Sequence, residues 1–528
     1  MENIKKNKIT PLFFCFTMAL LLIMVLLLLS DIPQRDVAFR YAPMAEAFAK
    51  GNWAFAFHPK VPPLHPLLAG IITSVFSCSG FTACKIISGL FFSLSIFPVF
   101  GLFRKIFSEK IAFIASFMAI LCPYLIRLGY SGLRDSAKEF AVMLTAYAVV
   151  AIFSNRNKII NYLFFGFGIG MLNLIRVENI ALAGVALIFI FLLDLQQNFK
   201  FRIPYRWGFA FIISLLMLAP VLYYNYQVVG LPAPELRTAE MIGKIFPVIS
   251  NHKASMKYQH QQNSVLTAAA LQQIHSKSNI SQSQLPEMTV NPSYIKATPK
   301  MAGKFIKNLI KGFFPLFFIF VIPVIYFRIK NKQWKQEETV VLVFFLLNIV
   351  VVIAPILLIE RYLYVSDRYL ITAIPLTFGW SAVGVAELYK FLNGRLPSLV
   401  LKLSVVGIIA GLILDGANPI IKSFTSRKKR TARKATLAIA EWIKEDFKRE
   451  QQQVTVKQYL DHYVSYKRPL VSADKLPVLG YLAGGQNVNL DNAKKDYIIS
   501  SKKICAENTV LVYELRVSGN NFYIWRNK

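Results

Sequence analysis

Apolar positions along this chain do not alternate with polar ones. They gather into windows of about 17–23 residues, each long enough at about 1.5 Å per residue to cross roughly 30 Å of hydrocarbon. Such windows recur at 11–29, 84–103, 111–126, 136–153, 159–175, 179–194, 207–224, 309–327, 339–358, 368–389 and 399–415. The pattern predicts an all-α polytopic membrane bundle of about eleven transmembrane helices over residues 1–418, followed by a small C-terminal α/β soluble domain over 419–528. Two outer loops stand out, 30–66 and the long polar segment 225–308, which is rich in Gln, Asn, Ser and Lys. In the first, Ala38 to Lys50 has amphipathic spacing, with Tyr41, Met44, Ala45 and Phe48 on one side, and is expected to lie along the membrane surface. The proline-rich run His58 to Pro66 then enforces extended backbone. Leu67 to Phe76 is too short to span and reads as a half-inserted or surface helix. In the tail, Ala432 to Arg449 reads as a helix, Val454 to Val456 and Tyr497 to Ile499 as strands, and Thr509–Val517 with Asn521–Trp525 as a hairpin.

Charge sharpens the topology. The 528-residue chain carries a formal net charge of +32 with a mean hydropathy of +0.46, and its basic residues cluster in every second connection. The clusters are Lys5-Lys6-Lys8, Arg104-Lys105-Lys110, Arg156-Lys158, Lys200-Arg202-Arg206, Arg328-Lys330-Lys332-Lys335 and Lys390-Arg395. The positive-inside rule makes these cytoplasmic and places 30–83, 127–135, 176–178, 225–308 and 359–367 outside. A topology signal thus replaces nucleic acid as the meaning of the charge. Arg427 to Lys434 breaks the scheme, since parity puts it and the C-terminal domain outside. The first span follows a basic N-terminus but has no small-residue cleavage site after it, so an uncleaved anchor is expected. Cys15, Cys78, Cys84 and Cys122 lie in or beside apolar segments and Cys505 stands alone, a distribution that suggests free thiols over a disulfide framework. His252, His260 and His275 lack metal-ligand spacing, and Gly480, Gly484 and Gly485 lack a phosphate-loop context.

Ionisable residues gather at the ends of spans predicted to face outward: Arg35, Asp36, Arg40, Glu46, His58, Lys60 and His65, then Arg127, Arg134 and Asp135, then Arg176 and Glu178, then Glu360, Arg361, Asp367 and Arg368. Charge beside hydrocarbon is costly unless paired or used. Singly, each has an ordinary explanation: Asp36 and Asp135 as helix caps, Arg176 with Glu178 as an ion pair, Arg368 as a snorkelling side chain. Together, carboxylates among guanidinium groups suit a phosphate-bearing ligand with an acid nearby for proton transfer.

The order of these features resembles the GT-C membrane glycosyltransferases, in particular relatives of the protein O-mannosyltransferases and of the lipid A aminoarabinose transferase. The resemblance rests on Arg35-Asp36-Val37-Ala38-Phe39-Arg40-Tyr41, Gly51-Asn52-Trp53 and Pro62-Pro63-Leu64-His65-Pro66, followed by Leu133-Arg134-Asp135, Arg176-Val177-Glu178 and Arg368-Tyr369-Leu370. It implies an enzyme of the plasma (inner) membrane, moving a sugar from a polyprenyl-phosphate donor to a lipid, glycan or protein hydroxyl at the extracytoplasmic face, with inversion. Asp36 would be the general base and Asp135 the second acid. Lys60, Arg176 and Arg368 would hold the donor phosphate, and Tyr41, His58, His65 and Glu178 would contact sugar or acceptor. No cofactor is required, although a divalent metal is compatible with the reaction. Three residues depart from the family pattern: Val37 stands where many relatives carry a second acid, His65 replaces the usual tyrosine of the proline-rich turn, and Lys60 stands one residue farther from the double proline than the lysine of the aminoarabinose branch. A lipid or polysaccharide transporter or flippase is the alternative, but no paired halves are visible.

Overall fold

A computed structural model describes residues 10–31, 33–34, 36–57, 61–176, 179–197, 205–229, 318–358 and 371–425, isolated positions 303 and 307, and five strands of the tail. The helices are α1 (Thr10–Leu29), α2 (Ala42–Ala49), α3 (Trp53–Ala56), α4 (Leu64–Phe76), α5 (Gly80–Leu94), α6 (Ile96–Ile106), α7 (Glu109–Leu121), α8 (Pro123–Tyr130), α9 (Asp135–Ser154), α10 (Ile159–Ile175), α11 (Asn179–Gln197) and α12 (Tyr205–Val229). After the long loop come α13 (Val321–Lys330), α14 (Gln336–Leu358), α15 (Phe378–Asn393) and α16 (Ser398–Thr425).

Among the described residues, five helices are long and apolar enough to cross a membrane: Pro11–Leu29, Gly80–Ile106, Asp135–Ser154, Arg206–Gln227 and Ser398–Lys422. The pair α7 and α8, bent by 58° where Pro123 cannot donate to the ladder, makes a sixth if counted as one span. The segment at 368–389 departs from the expected unbroken span. Its described part turns through a 3₁₀ helix, Ile374–Thr377, and α15 begins only at Phe378; Pro375 removes a backbone donor there. Two boundaries also move. Helix α12 continues past 225 to Val229, and α16 runs past 418 to Thr425.

The bundle is built around α9, which is buried along most of its length and packs against α5, α6, α10 and α14. Helix α10 approaches two neighbours closely through alternate glycines. A Cβ at Gly166 would stand 2.5 Å from the Ala210 carbonyl oxygen of α12, one at Gly170 2.6 Å from Met217, and one at Gly168 2.6 Å from Thr145 of α9. Without a hydrophobic force between helices in lipid, such backbone proximity is what dispersion needs.

Contacts sort the connections into two ends. At one, Lys335 Nζ donates to the Ile106 carbonyl, Arg328 lies over the Phe107 ring, Lys105 lies over Tyr147, Arg156 donates to Leu193 O, and Arg206 donates to Arg156 O. Glu338, with no exposed surface, is gripped there by Arg328 at 2.7 Å and by the Trp380 indole at 3.0 Å. At the other end, Lys85 Nζ caps α1 through the Leu27 and Ser30 carbonyls, and Arg127 binds Asp415 at 3.0 Å. Described residues from four of the basic clusters, Lys105, Arg156, Arg206 and Arg328 with Lys335, therefore share one end of the bundle.

The described tail is a five-stranded sheet, in the order β2-β1-β3-β5-β4, formed by β1 (Leu470–Ala473), β2 (Gln486–Asn487), β3 (Tyr497–Ser500), β4 (Thr509–Val517) and β5 (Asn520–Asn527). Strand β1 is parallel to β2 and β3, and β5 is antiparallel to β3 and β4. The expected hairpin and the strand at Tyr497 are present, while the helix at 432–449 and the strand at 454–456 lie outside the described residues.

Candidate active site

The site grows from the first outer loop. Val37–Tyr41 is a π-helical turn that leads into α2, whose Ala42, Met44, Ala45 and Ala47 are buried. Helix α2 was expected to rest on the membrane surface. Its apolar face is instead covered by α4 and α5. Gly80, the first residue of α5, permits this: a Cβ there would fall 2.2 Å from the Ala42 carbonyl oxygen, and the Gly80 N–H donates to Glu46 Oε1 at 3.2 Å. Helix α4, at 13 residues, is too short to span, as expected, and turns its His65 face inward.

The second contribution comes from the α8–α9 turn. Gly132 has φ +76°, a left-handed conformation that lets the chain reverse against Val37 and deliver Leu133, Arg134 and Asp135 to the first loop. Asp135 is the first residue of α9, and Arg176 is the residue just past α10. Their carboxylate and guanidinium meet at 2.8 Å with 2% and 4% of the side chains exposed. Neither Asp36 nor Asp135 is a helix cap. Asp36 has helical backbone angles and makes no capping hydrogen bond, and Asp135 is engaged by Arg176.

Tyr41 and His65 lie between these two contributions. Their rings are 5.6 Å apart, and the Arg134 guanidinium stands 5.8 Å from the Tyr41 centroid. His65 Nε2 is 3.2 Å from Ser88 Oγ, which in turn donates to the Leu133 carbonyl at 2.7 Å. Burial pushes the Tyr41 phenol up from its ordinary value; Arg134 and Arg176 pull it down, and Asp135 and Asp36 push it up. Burial, reinforced by Arg134, lowers His65 to about 3, so the imidazole is neutral at physiological pH. Asp36, Tyr41, His65, Arg134, Asp135 and Arg176 therefore form one electrostatic cluster. Chemically, it offers a carboxylate of intermediate burial, a buried acid–base pair and a second guanidinium.

Of the other residues expected here, His58, Lys60, Glu178 and Arg368 lie outside the described residues. Two partners have no role in the sequence reading. Arg134 stands there among the outward-facing charges, next to Asp135, without a function of its own. Ser88 carries no signal in the sequence, because a serine in an apolar span is ordinary. No group of three or more His, Cys, Asp or Glu side chains able to hold a metal occurs among the described residues.

ArnT from Cupriavidus metallidurans, solved bound to undecaprenyl phosphate, superposes with a TM-score of 0.59 at 12% identity over 98% of both chains; its apo state gives 0.57 at 12% over 97% of both. The chain therefore shares the fold of ArnT. An oligosaccharyltransferase from Archaeoglobus fulgidus, in complex with Zn and sulfate, shares this fold less closely, with a TM-score of 0.50 at 13% identity. That comparison covers 90% of this chain but only 62% of the archaeal one. The sequence model of the dolichyl-phosphate-mannose-protein mannosyltransferase family matches residues 60–224, a stretch containing His65, Arg134, Asp135 and Arg176. No curated protein matches the sequence.

Proposed function

We propose that this protein is an integral membrane glycosyltransferase that moves a sugar from a polyprenyl-phosphate donor to an acceptor hydroxyl. The observation that carries the reading is the convergence on Tyr41 of Asp36, Arg134, Asp135 and Arg176 at one end of a GT-C bundle. The binding of undecaprenyl phosphate by ArnT and the mannosyltransferase family match support the donor class.

In the proposed reaction, the acceptor oxygen attacks the anomeric carbon as Asp36 takes its proton. The bond from that carbon to the phosphate oxygen breaks on the opposite face, giving inversion. The departing lipid phosphate gains charge, which Arg176 would stabilise together with Lys60 and Arg368. Asp135 orients Arg176 through their ion pair, and Tyr41 and His65 line the sugar or acceptor side with His58 and Glu178. The cluster would face the extracytoplasmic side of the plasma membrane, with the C-terminal domain on the same side. The gathering of basic connections at the opposite end supports this orientation.

The test is transfer by detergent-purified protein from radiolabelled undecaprenyl phosphate mannose, and from the corresponding glucose and galactose donors, to lipid, glycan and peptide acceptors. Asp36→Asn should fold normally and lose about 100-fold or more of turnover. Equal turnover rejects Asp36 as the base. Movement of lipid between leaflets of reconstituted vesicles, without transfer from any donor, would favour a transporter. Accessibility of single cysteines placed at Ser264 and Asn520 to an impermeant thiol reagent tests the orientation.

A further inference from the structure

The hydrogen-bond chain through Ser88 determines which nitrogen of His65 carries the proton. The Leu133 carbonyl can only accept, so the single Ser88 hydroxyl proton points to it. Ser88 Oγ must then accept from His65, which makes Nε2 the protonated nitrogen of the neutral ring. Nδ1 is left as a bare acceptor. It is buried, His65 being 1% exposed, and no donor reaches it among the described residues. Arg134, whose guanidinium stands 5.8 Å from the centroid of the same Tyr41 ring that lies 5.6 Å from the imidazole, has Nε and Nη1 buried with no acceptor among the described residues. Leaving such groups unmet lowers stability, so an orphan acceptor and orphan donors gathered about one tyrosine ring are expected to have a ligand.

We propose that His65 Nδ1 and Arg134 form a subsite that reads one hydroxyl group of the donor sugar. A hydroxyl is the group that satisfies both partners at once, because it donates its proton to Nδ1 and accepts from the guanidinium. A phosphate dianion has no proton to give Nδ1. Tyr41, 5.6 Å from the imidazole, forms the adjacent wall. This inference rests on the glycosyltransferase reading and adds to it a residue that selects among sugars.

Asparagine and glutamine separate the two nitrogens. His65→Gln keeps an N–H near the Nε2 position for Ser88 and lacks an acceptor at Nδ1, whereas His65→Asn puts an amide oxygen near Nδ1 and drops the Ser88 bond. Transfer kinetics are measured with undecaprenyl phosphate mannose, glucose and galactose, and with the 2-, 3-, 4- and 6-deoxy forms of whichever sugar the wild-type protein transfers. The wild type should use one deoxy donor about 10-fold or more less well than its parent. His65→Gln should use both equally, through a raised KM for the parent, and His65→Asn should keep the discrimination. Wild-type discrimination in His65→Gln overturns the proposal and leaves an ordered water as the ligand of Nδ1. A greater loss in His65→Asn than in His65→Gln, equal for every donor, also overturns it and makes His65 a structural tie to Ser88. Solid-state nitrogen NMR of the ligand-free protein gives a readout independent of the donor: a proton on Nδ1 refutes the subsite. Absence of transfer from every donor overturns the glycosyltransferase reading itself, and the subsite with it.

Discussion

Replacing Asp135 with asparagine leaves the Arg176 guanidinium without its carboxylate at a position where 4% of that side chain is exposed. At 2.8 Å and an effective dielectric constant of about 20, the lost attraction is roughly 6 kcal/mol, part of which offsets the cost of desolvating both ions. The net penalty for breaking one side of a buried pair is about 3–5 kcal/mol. The pair also joins the start of α9 to the end of α10, where the helix dipoles favour an acid and a base respectively. Asp135→Asn should therefore unfold at markedly lower denaturant in detergent, followed by tryptophan fluorescence. The double variant Asp135→Asn with Arg176→Gln carries no charge and can keep a neutral hydrogen bond, so it should recover most of the lost stability. It should not recover sugar transfer, because the cation is gone. An unchanged midpoint for Asp135→Asn would refute the energetic argument. Recovery of both stability and transfer by the double variant would refute the assignment of Arg176 to the donor phosphate.

Three further perturbations have definite expected outcomes. Gly80→Ala forces its Cβ against the Ala42 carbonyl at 2.2 Å, so α2 must shift; transfer should fall more than 10-fold, with a penalty of about 1–3 kcal/mol read in the same unfolding assay. Glu338→Gln strips the charge that Arg328 grips at 2.7 Å and should destabilise the opposite end by about 3–5 kcal/mol, while the KM for the donor stays unchanged in protein that remains folded. His65 is lowered by burial to about 3, below the usual unfolded value near 6.5. Between those limits the unfolded chain binds more protons, so its contribution is complete above about 6.5 and declines by roughly 1 kcal/mol per pH unit as pH falls toward 3. The unfolding midpoint followed from pH 8 to pH 4.5 should drop more steeply in wild type than in His65→Phe.

Much of the fold was legible because hydrocarbon imposes a length rule. Pro11–Leu29 and Ser398–Lys422 each contain an apolar window long enough to span, and no tertiary contact is needed to find them. The rule fails where backbone geometry interrupts composition. Nothing in the hydropathy of 368–389 shows that Ile374–Thr377 tightens into a 3₁₀ turn, and nothing in that of 109–130 shows the 58° bend at Pro123. The amphipathic period of Ala38 to Lys50 revealed an apolar face, but periodicity cannot say whether lipid or protein covers that face; α4 and α5 do.

The chemistry divides in the same way. By itself, the sequence determined that the chain is a membrane bundle and which ionisable residues end its spans, because each depends on composition over a short window. It brought Asp36, Asp135 and Arg176 forward as residue types suited to a phosphate and a proton transfer. Only the tertiary structure decided their partnerships. Asp135 and Arg176 are far apart in the chain, and their pairing at 2.8 Å follows from α9 and α10 lying antiparallel. The His65 proton was settled by Ser88 and Leu133, two residues that no local pattern singles out. A pairwise contact in a low-dielectric interior depends on distances of a few ångströms, and those distances are set by how the helices pack.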